Sequence, residues 1–169
     1  MAETVFILLG SNLGDRERQL AEARDKIGSI SGLEVSAASS IYVSEAVDMK
    51  GENPSFLNQV VMGEYIFTPN ELLASLERIE KQMGRINKGD YLPRPIDLDL
   101  LLFGEEEIDT GRLVVPHKKL LERGFALVPL TEIDPERIHP GTGRPLVEYV
   151  TDAHRASVIL FREHVARSL

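Results

Sequence analysis

Two aspartates, Asp97 and Asp99, stand one residue apart in the apolar run 96–103. In a β-strand alternate side chains share a face, so both carboxylates would project from one face, about 7 Å apart. Such like charges repel, and a hard divalent cation such as Mg²⁺, which binds one or two carboxylates together with phosphate oxygens, would relieve that repulsion. Arg94, just upstream, has a guanidinium that can hold a phosphate through two hydrogen bonds. The spacing favours a metal–phosphate site; the alternative is an exposed strand with a solvated acidic face.

The segment around the aspartates is predicted to be a strand, because Pro93 and Pro95 would break a helix and the residues after them are apolar. The face opposite the carboxylates is expected to enter the core. That face comprises Ile96, Leu98, Leu100 and Leu102.

Strands are predicted at 5–9, 33–42 and 56–65, and helices at about 16–30, with Asp15 as N-cap, and from Pro69 to Gly84, with a capping box at Thr68 and Glu71. The order strand, helix, strand, strand, helix, strand predicts an α+β, ferredoxin-like βαββαβ sandwich with a mostly antiparallel sheet and helices on its faces. Extra short elements are expected at the C-terminus: a helical turn ending at Gly124, helices at 126–132 and 146–153, and an edge strand at 158–161. The turn 10–15 is interpreted as structural, because it lacks the lysine of a phosphate-binding loop.

Phe56 and Asn58 would share a face of the third strand, where a ring and an amide can serve a flat heterocycle, although a lone phenylalanine is more often core. Glu80, near the end of the second helix, is by position alone a solvated carboxylate. The polar segment 44–54 is predicted to be a loop long enough to move over a site, and 85–90 is predicted to be a second mobile loop, which ends at the approach to the acidic strand.

The composition limits the possible functions. The 169 residues suit a single domain, 1–169, and the net charge of −8 argues against a nucleic-acid binder. The chain has no cysteine, no signal-peptide pattern and no apolar run long enough for a membrane span, so we expect a cytoplasmic protein without membrane contact.

From Val5 to about Ile138 the chain resembles the 6-hydroxymethyl-7,8-dihydropterin pyrophosphokinase family of the folate pathway. The specific signature is Pro-Arg-x-x-Asp-x-Asp at 93–99. Weaker motifs in the same order support it: Gly10-Ser11-Asn12-Leu13, Phe56-Leu57-Asn58, Glu80 with Gly84-Arg85, Val115-Pro116-His117 and Arg123-Gly124-Phe125.

The resemblance implies transfer of the β,γ-diphosphate of ATP to the pterin hydroxymethyl group, with release of AMP, two Mg²⁺ ions, small-molecule substrates only and a monomer. It also implies roles for individual residues. The catalytic set is Arg85, Arg94, Asp97 and Asp99, and the two aspartates are the metal ligands. The pterin set is Ser44, Val47, Phe56, Asn58 and Phe125. The ATP set is Glu80, Arg85, Lys88, Arg94, Arg112, His117 and Arg123.

The chain departs from the family pattern at four positions, where Tyr91-Leu92 stands for Trp-Gly, Asn87 for an arginine and Lys118 for a tyrosine. The alternatives are a non-catalytic nucleotide- or metal-sensing module of the same fold, an RNA-binding domain, which the acidic charge opposes, and a kinase that transfers the γ-phosphate.

Overall fold

A six-stranded antiparallel sheet organises the fold of this computed structural model, which describes residues 1–45, 54–85 and 95–163. The elements β1 (Glu3–Ser11), β2 (Leu33–Ala38), β3 (Ile41–Ser44), β4 (Phe56–Tyr65) and β5 (Asp97–Phe103) contribute five of its strands. The short strands β6 (Ile108–Asp109) and β7 (Val114–Val115) pair separately, and β8 (Val158–Arg162) completes the large sheet. Its order is β5-β1-β4-β3-β8, with β2 also paired to β4.

Two helices cover one face of this sheet. They are α1 (Arg16–Gly28), where the Asp15 side chain accepts from the backbone N–H of Arg18, and α2 (Pro69–Gln82), which begins with the capping box of Thr68 and Glu71. The other face carries α3 (Gly124–Ile133), followed by a 3₁₀ turn (Leu146–Tyr149) and the short helix α4 (Asp152–Ala156). None of the helices in the three described stretches is long and apolar enough to cross a bilayer. The predicted α+β sandwich with its antiparallel sheet is confirmed.

The alternation of side chains on β1 divides the core in two. Val5, Ile7 and Leu9 pack with the apolar stripes of α1 and α2. Phe6 and Leu8 pack on the opposite face with a cluster centred on α3. Because both faces are covered, β1 is continuously apolar from Val5 to Leu9 rather than alternating, as expected for a central strand.

The predicted strand 33–42 is two strands in the structure, because Ser39 and Ser40 interrupt the regular strand. Ala38 pairs with Val61 and Tyr42 with Asn58, so this side has one residue more than β4 between those pairs. The hydroxyl of Ser39 accepts from the backbone N–H of Val60 at 2.9 Å and replaces a ladder bond. The sequence pattern of small residues did not reveal this insertion.

The predicted inward face of β5 is correct except for Leu102. Ile96, Leu98 and Leu100 belong to the core beneath α1 and α2, whereas Leu102 lies in the cluster beneath α3. The cause is a register shift: Phe6 pairs with Leu102, but Ile7 pairs with Leu100. One extra residue in β5 reverses the faces beyond it.

The other predicted boundaries differ modestly. The first helix ends at Gly28, and α3 begins at Gly124 rather than after it. The predicted helix 146–153 is divided into the 3₁₀ turn and α4, while the terminal edge strand is present as β8.

Candidate functional site

Three adjacent strands place Asn58, Gly10 and Asp97 in one row. Gly10 on β1 pairs with Asn58 on one side and with Asp97 on the other. Two residues earlier on β1, Leu8 pairs with Asp99. Because paired residues point to the same face, both aspartates and Asn58 lie on the face that carries α3, beyond its apolar cluster. The predicted common face of Asp97 and Asp99 is therefore present.

Gly10 leaves the middle of this row without a side chain. A Cβ added there would lie 3.4 Å from Phe56 Cδ1 and 3.5 Å from Asn58 Oδ1, so the ring and the amide border the position directly. The sequence pattern predicts only a structural turn for the segment that begins at Gly10. The register, which no single stretch of sequence reveals, makes Gly10 a part of the site.

Asn58 is held in one orientation. Its side chain is buried, and its Nδ2 donates to Ser44 Oγ at 2.7 Å and to the Tyr42 carbonyl at 3.3 Å. Since a backbone carbonyl can only accept, the amide nitrogen must face Tyr42, and Oδ1 then borders Gly10. Asn58 therefore directs a hydrogen-bond acceptor toward Gly10, and Ser44 belongs to the same cluster.

Arg85 forms an ion pair with Asp97, in which Nη1 lies 3.1 Å from Oδ1 and the side chains are 4% and 18% exposed. The backbone N–H of Arg85 donates to the Glu80 carbonyl at 2.9 Å, directly after α2. The prediction that Arg85 belongs to a mobile loop is wrong, because the residue is buried at the end of a helix. Its cationic group fixes the position of one carboxylate of the pair.

Glu80 is buried rather than solvated, so that positional interpretation is also wrong. Its Oε2 accepts from the backbone N–H of Leu98 at 2.8 Å. Leu98 lies between Asp97 and Asp99, so this bond ties α2 to the strand that carries both carboxylates. Glu80 has the apolar spacing of a buried helix position next to Ile79, which is the signal that could have indicated its burial.

Asp99 lines a cavity of about 260 Å³ together with Arg112 and His117, two residues of the predicted ATP set. Arg112 pairs with Glu77 at 2.8 Å in an exposed contact. The backbone N–H of His117 donates to the Leu101 carbonyl at 2.9 Å, and its Nδ1 accepts from the N–H of Lys119. The structure thus brings a carboxylate, a cation and an imidazole to one opening beside β5.

Phe125 lines a second cavity, of about 370 Å³, which Ser44 also lines. The guanidinium carbon of Arg123 lies 5.4 Å from the centroid of the Phe125 ring, within the range of a cation–π contact. The two residues flank Gly124, where α3 begins. Val47, Lys88 and Arg94 lie outside the described residues, so their predicted roles stay predictions.

The two aspartates suit magnesium better than a metal that needs a complete protein cage. No group of three or more metal-ligating side chains occurs in the described parts of the chain. Mg²⁺ commonly uses one or two carboxylates, phosphate oxygens of the substrate and water. Two half-buried carboxylates on alternate positions of a strand fit that habit.

A model of the family described as 7,8-dihydro-6-hydroxymethylpterin-pyrophosphokinase matches residues 6–135. A protein of Aquifex aeolicus named 2-amino-4-hydroxy-6-hydroxymethyldihydropteridine pyrophosphokinase is 39% identical over 146 residues, which cover 86% of this chain and 89% of the relative. A Bacillus subtilis protein of the same name is 40% identical over 133 residues, which cover 79% of each chain.

Longer proteins match as well. The folic acid synthesis protein fol1 of Pneumocystis carinii is 40% identical over 147 residues, which cover 87% of this chain and 20% of the relative. The solved structure of wild-type Plasmodium falciparum HPPK-DHPS superposes with a TM-score of 0.65 at 14% identity, covering 88% of this chain and 44% of that one. This chain therefore spans about a fifth of the first relative and less than half of the second, and the structural likeness concerns the fold alone.

Proposed function

The chain belongs to the 7,8-dihydro-6-hydroxymethylpterin-pyrophosphokinase family, and from this premise we propose that it transfers the β,γ-diphosphate of ATP to the hydroxymethyl group of 6-hydroxymethyl-7,8-dihydropterin and releases AMP. The family makes the chain a pyrophosphokinase of folate biosynthesis that uses ATP. The magnesium ions, the roles of single residues and the surroundings of the protein are our proposals.

The observation that carries the proposal is the row of Asn58, Gly10 and Asp97. Adjacent strands lie about 4.8 Å apart, so β4 and β5 are separated by roughly 10 Å across β1. A bicyclic ring held at Asn58 and Phe56 would direct a short substituent across Gly10 toward the carboxylates. That separation suits a reaction in which one substrate is recognised by its ring, while the phosphate that it attacks is held by metal ions at the carboxylates.

We assign the aspartates to the metal and the strand ends to the substrates. Asp97 and Asp99 would hold two Mg²⁺ ions, which supply charge neutralisation and alignment of the phosphates. The Asn58 Oδ1 accepts a hydrogen bond from a ring N–H of the pterin, and Phe56 and Phe125 pack against the ring. Arg85 keeps Asp97 in place, since their ion pair is buried.

The chemical step needs few further groups. The hydroxymethyl oxygen forms a bond to the β-phosphorus of ATP while the bond from that phosphorus to the α,β-bridging oxygen breaks, and AMP carries away the electron pair. The hydroxyl proton passes to a carboxylate of the aspartate pair or to water. Such transfers depend mainly on positioning and on stabilisation of spread negative charge, for which Arg94, Arg112, His117 and Arg123 are the proposed cations and donors on the ATP side.

Analysis of the nucleotide product tests the proposal. The protein is incubated with ATP, Mg²⁺ and the reduced hydroxymethylpterin, and with each omitted in turn. AMP formed only in the complete mixture is expected. ADP would instead identify a kinase that transfers the γ-phosphate, and tight ATP binding without turnover would identify a sensing module.

We further propose that the chain is one domain, that it is monomeric and that it acts in the cytoplasm. The net charge of −8 and the absence of cysteine support a reducing compartment without nucleic-acid partners. Sedimentation at micromolar concentration, with a mass near the 18.8 kDa of one chain, is the expected result.

A further inference from the structure

The cavity beside Phe125 has a wall that lies outside the region matched by the family. Besides Ser44 and Phe125, the lining includes Ala156, Ser157 and Ile159. These three residues belong to the segment 152–162, called the C-terminal tail below, which consists of α4 and β8. The family match ends at residue 135, and none of the predicted site residues lies in this tail.

The tail is seated on the sheet beside the cavity. β8 pairs antiparallel with β3, and Val158 stands opposite Ser44, whose hydroxyl holds the amide of Asn58. At the far end of β8, Arg162 forms an ion pair with Glu17 of α1. The tail thus extends the row that contains Phe56 and Ser44 by one more strand.

The tail also packs against the beginning of α3 at Gly124. A Cβ added to Gly124 would lie 2.6 Å from the backbone oxygen of His154 and in collision with Ser157 Oγ. The two backbones approach so closely only because Gly124 has no side chain. Since Phe125 is the next residue, the packing of the tail against Gly124 fixes the position of the Phe125 backbone, from which its ring extends.

We propose that the C-terminal tail forms the outer wall of the pterin pocket and positions Phe125 against the bound ring. The cavity of about 370 Å³ falls in the range of small-molecule sites, roughly 300–1,000 Å³. Phe125 offers a face for stacking, and Ser44, which accepts from Asn58, keeps its own O–H as a donor. The identity of the ligand as a reduced pterin rests on the proposed function; the existence of the wall does not.

A matched pair of substitutions on α4 tests the wall. Ala156 and Ala153 are both exposed residues of this helix, but only Ala156 lines the cavity. In Ala156→Leu, the added side chain enters the cavity, so we expect the Kd of the reduced pterin to rise on the order of tenfold, while the Kd of ATP and the melting temperature stay unchanged. Ala153→Leu should bind both ligands as the wild type does.

The seat of the tail is tested at Gly124. In Gly124→Ala the new methyl group must displace His154 and Ser157, so we expect pterin affinity to fall at least tenfold with ATP affinity changed less than twofold. Faster hydrogen exchange at the β8 amides should accompany the loss. The control is Gly28→Ala, because nothing lies within 4 Å of a Cβ at Gly28.

Titration calorimetry of the reduced pterin, with a non-hydrolysable ATP analogue present, separates the two proposals. If the wild type forms AMP and Ala156→Leu binds pterin as tightly as Ala153→Leu, the inference about the tail is overturned and the proposed function stands. If the wild type binds pterin without forming AMP, the proposed function fails, and a selective loss in Ala156→Leu still supports the wall. A wild type that binds no pterin overturns both.

Discussion

The two faces of the sheet are built for opposite purposes. On the face beneath α1 and α2, the β1 side chains of Val5, Ile7 and Leu9 are buried in one continuous apolar core. On the other face, the apolar cluster beneath α3 ends near Leu8, and the row of Asn58, Gly10 and Asp97 follows. The first face stabilises the fold, and the second is packed along only part of its length.

The difference is sharpest along β5, where neighbouring residues serve the two faces. Leu98 is buried beneath the helices, while Asp97 and Asp99 flank it on the site face. Glu80 of α2 accepts from the backbone N–H of Leu98, so a carboxylate on the helix side supports the strand that carries the site. Substitutions one residue apart should therefore separate activity from stability.

The largest expected effect is the loss of activity in Asp99→Asn. The amide removes the charge that would bind metal, so we expect kcat/KM to fall on the order of 10²–10³-fold, as for the loss of a group that stabilises developing charge. Because Asp99 is only half-buried, the melting temperature should change little. Turnover is measured as AMP release, and near-normal turnover at saturating Mg²⁺ would contradict the metal assignment.

Leu98→Ala is the opposite case on the same strand. Its side chain is 1% exposed, and truncation of such a leucine costs about 2–5 kcal/mol of unfolding free energy. Urea unfolding at 25 °C measures this cost. We expect the folded fraction to keep most of its specific activity, since the backbone bond to Glu80 remains; an activity loss as large as that of Asp99→Asn would mean that the two faces are not separable.

Sequence patterns predicted the face beneath α1 and α2 well, because that face depends on local periodicity. The predicted third strand, 56–65, and the capping box at Thr68 match the structure. Apolar residues at helical spacing, such as Leu20 and Ile27 of α1 and Leu72 and Leu76 of α2, are buried. Where the periodicity was interrupted by an inserted residue, as near Leu102, the prediction of the buried face was wrong.

The site face was predicted only in part, because it depends on register and on contacts between distant segments. The common face of Asp97 and Asp99 follows from strand geometry alone. The place of Gly10 opposite both Asn58 and Asp97 depends on how three strands are aligned. Helical spacing could have indicated the burial of Glu80, but its hydrogen bond to Leu98 and the burial of Arg85 depend on how α2 meets β5.

A third prediction concerns Glu132, which fastens α3 to the sheet. Its carboxylate accepts from Tyr42 O–H at 2.7 Å and from the hydroxyl of Ser40 at 2.8 Å. Glu132→Ala removes the carboxylate that accepts both of these hydrogen bonds, so we expect the unfolding free energy in urea to fall by about 1–3 kcal/mol. Since Phe125 lies in the first turn of α3, the KM for pterin should rise more than the KM for ATP, and equal changes would contradict a role in positioning.

Tyr42→Phe is the matched, smaller change, with an expected cost of about 1 kcal/mol at neutral pH. Burial, with the hydrogen bond to Glu132, raises the pKa of Tyr42 above its ordinary value. Because the folded pKa exceeds the unfolded one, this contribution is complete below about pH 10 and is lost as the pH rises further. Wild type and Tyr42→Phe should therefore converge in stability at strongly alkaline pH.

The smallest expected effect on activity lies at the N-cap of α2. Thr68 Oγ1 accepts from the N–H of Glu71 at 3.3 Å, and Thr68→Ala should cost about 1 kcal/mol of unfolding free energy with unchanged kcat/KM. Hydrogen bonds from the backbone and side chain of Thr68 lower the pKa of Glu71. Their contribution is thus present above the unfolded pKa of about 4.3 and is lost in more acidic solution.

The cost of Thr68→Ala should accordingly shrink as the pH falls through that range, and Asn70→Ala, a change at an exposed position of the same first turn, should show no such trend. Thermal unfolding between about pH 3 and pH 7 measures both. If Thr68→Ala also lowered kcat/KM, the face beneath α1 and α2 would influence the site through α2 and Glu80. The two faces would then be coupled rather than independent.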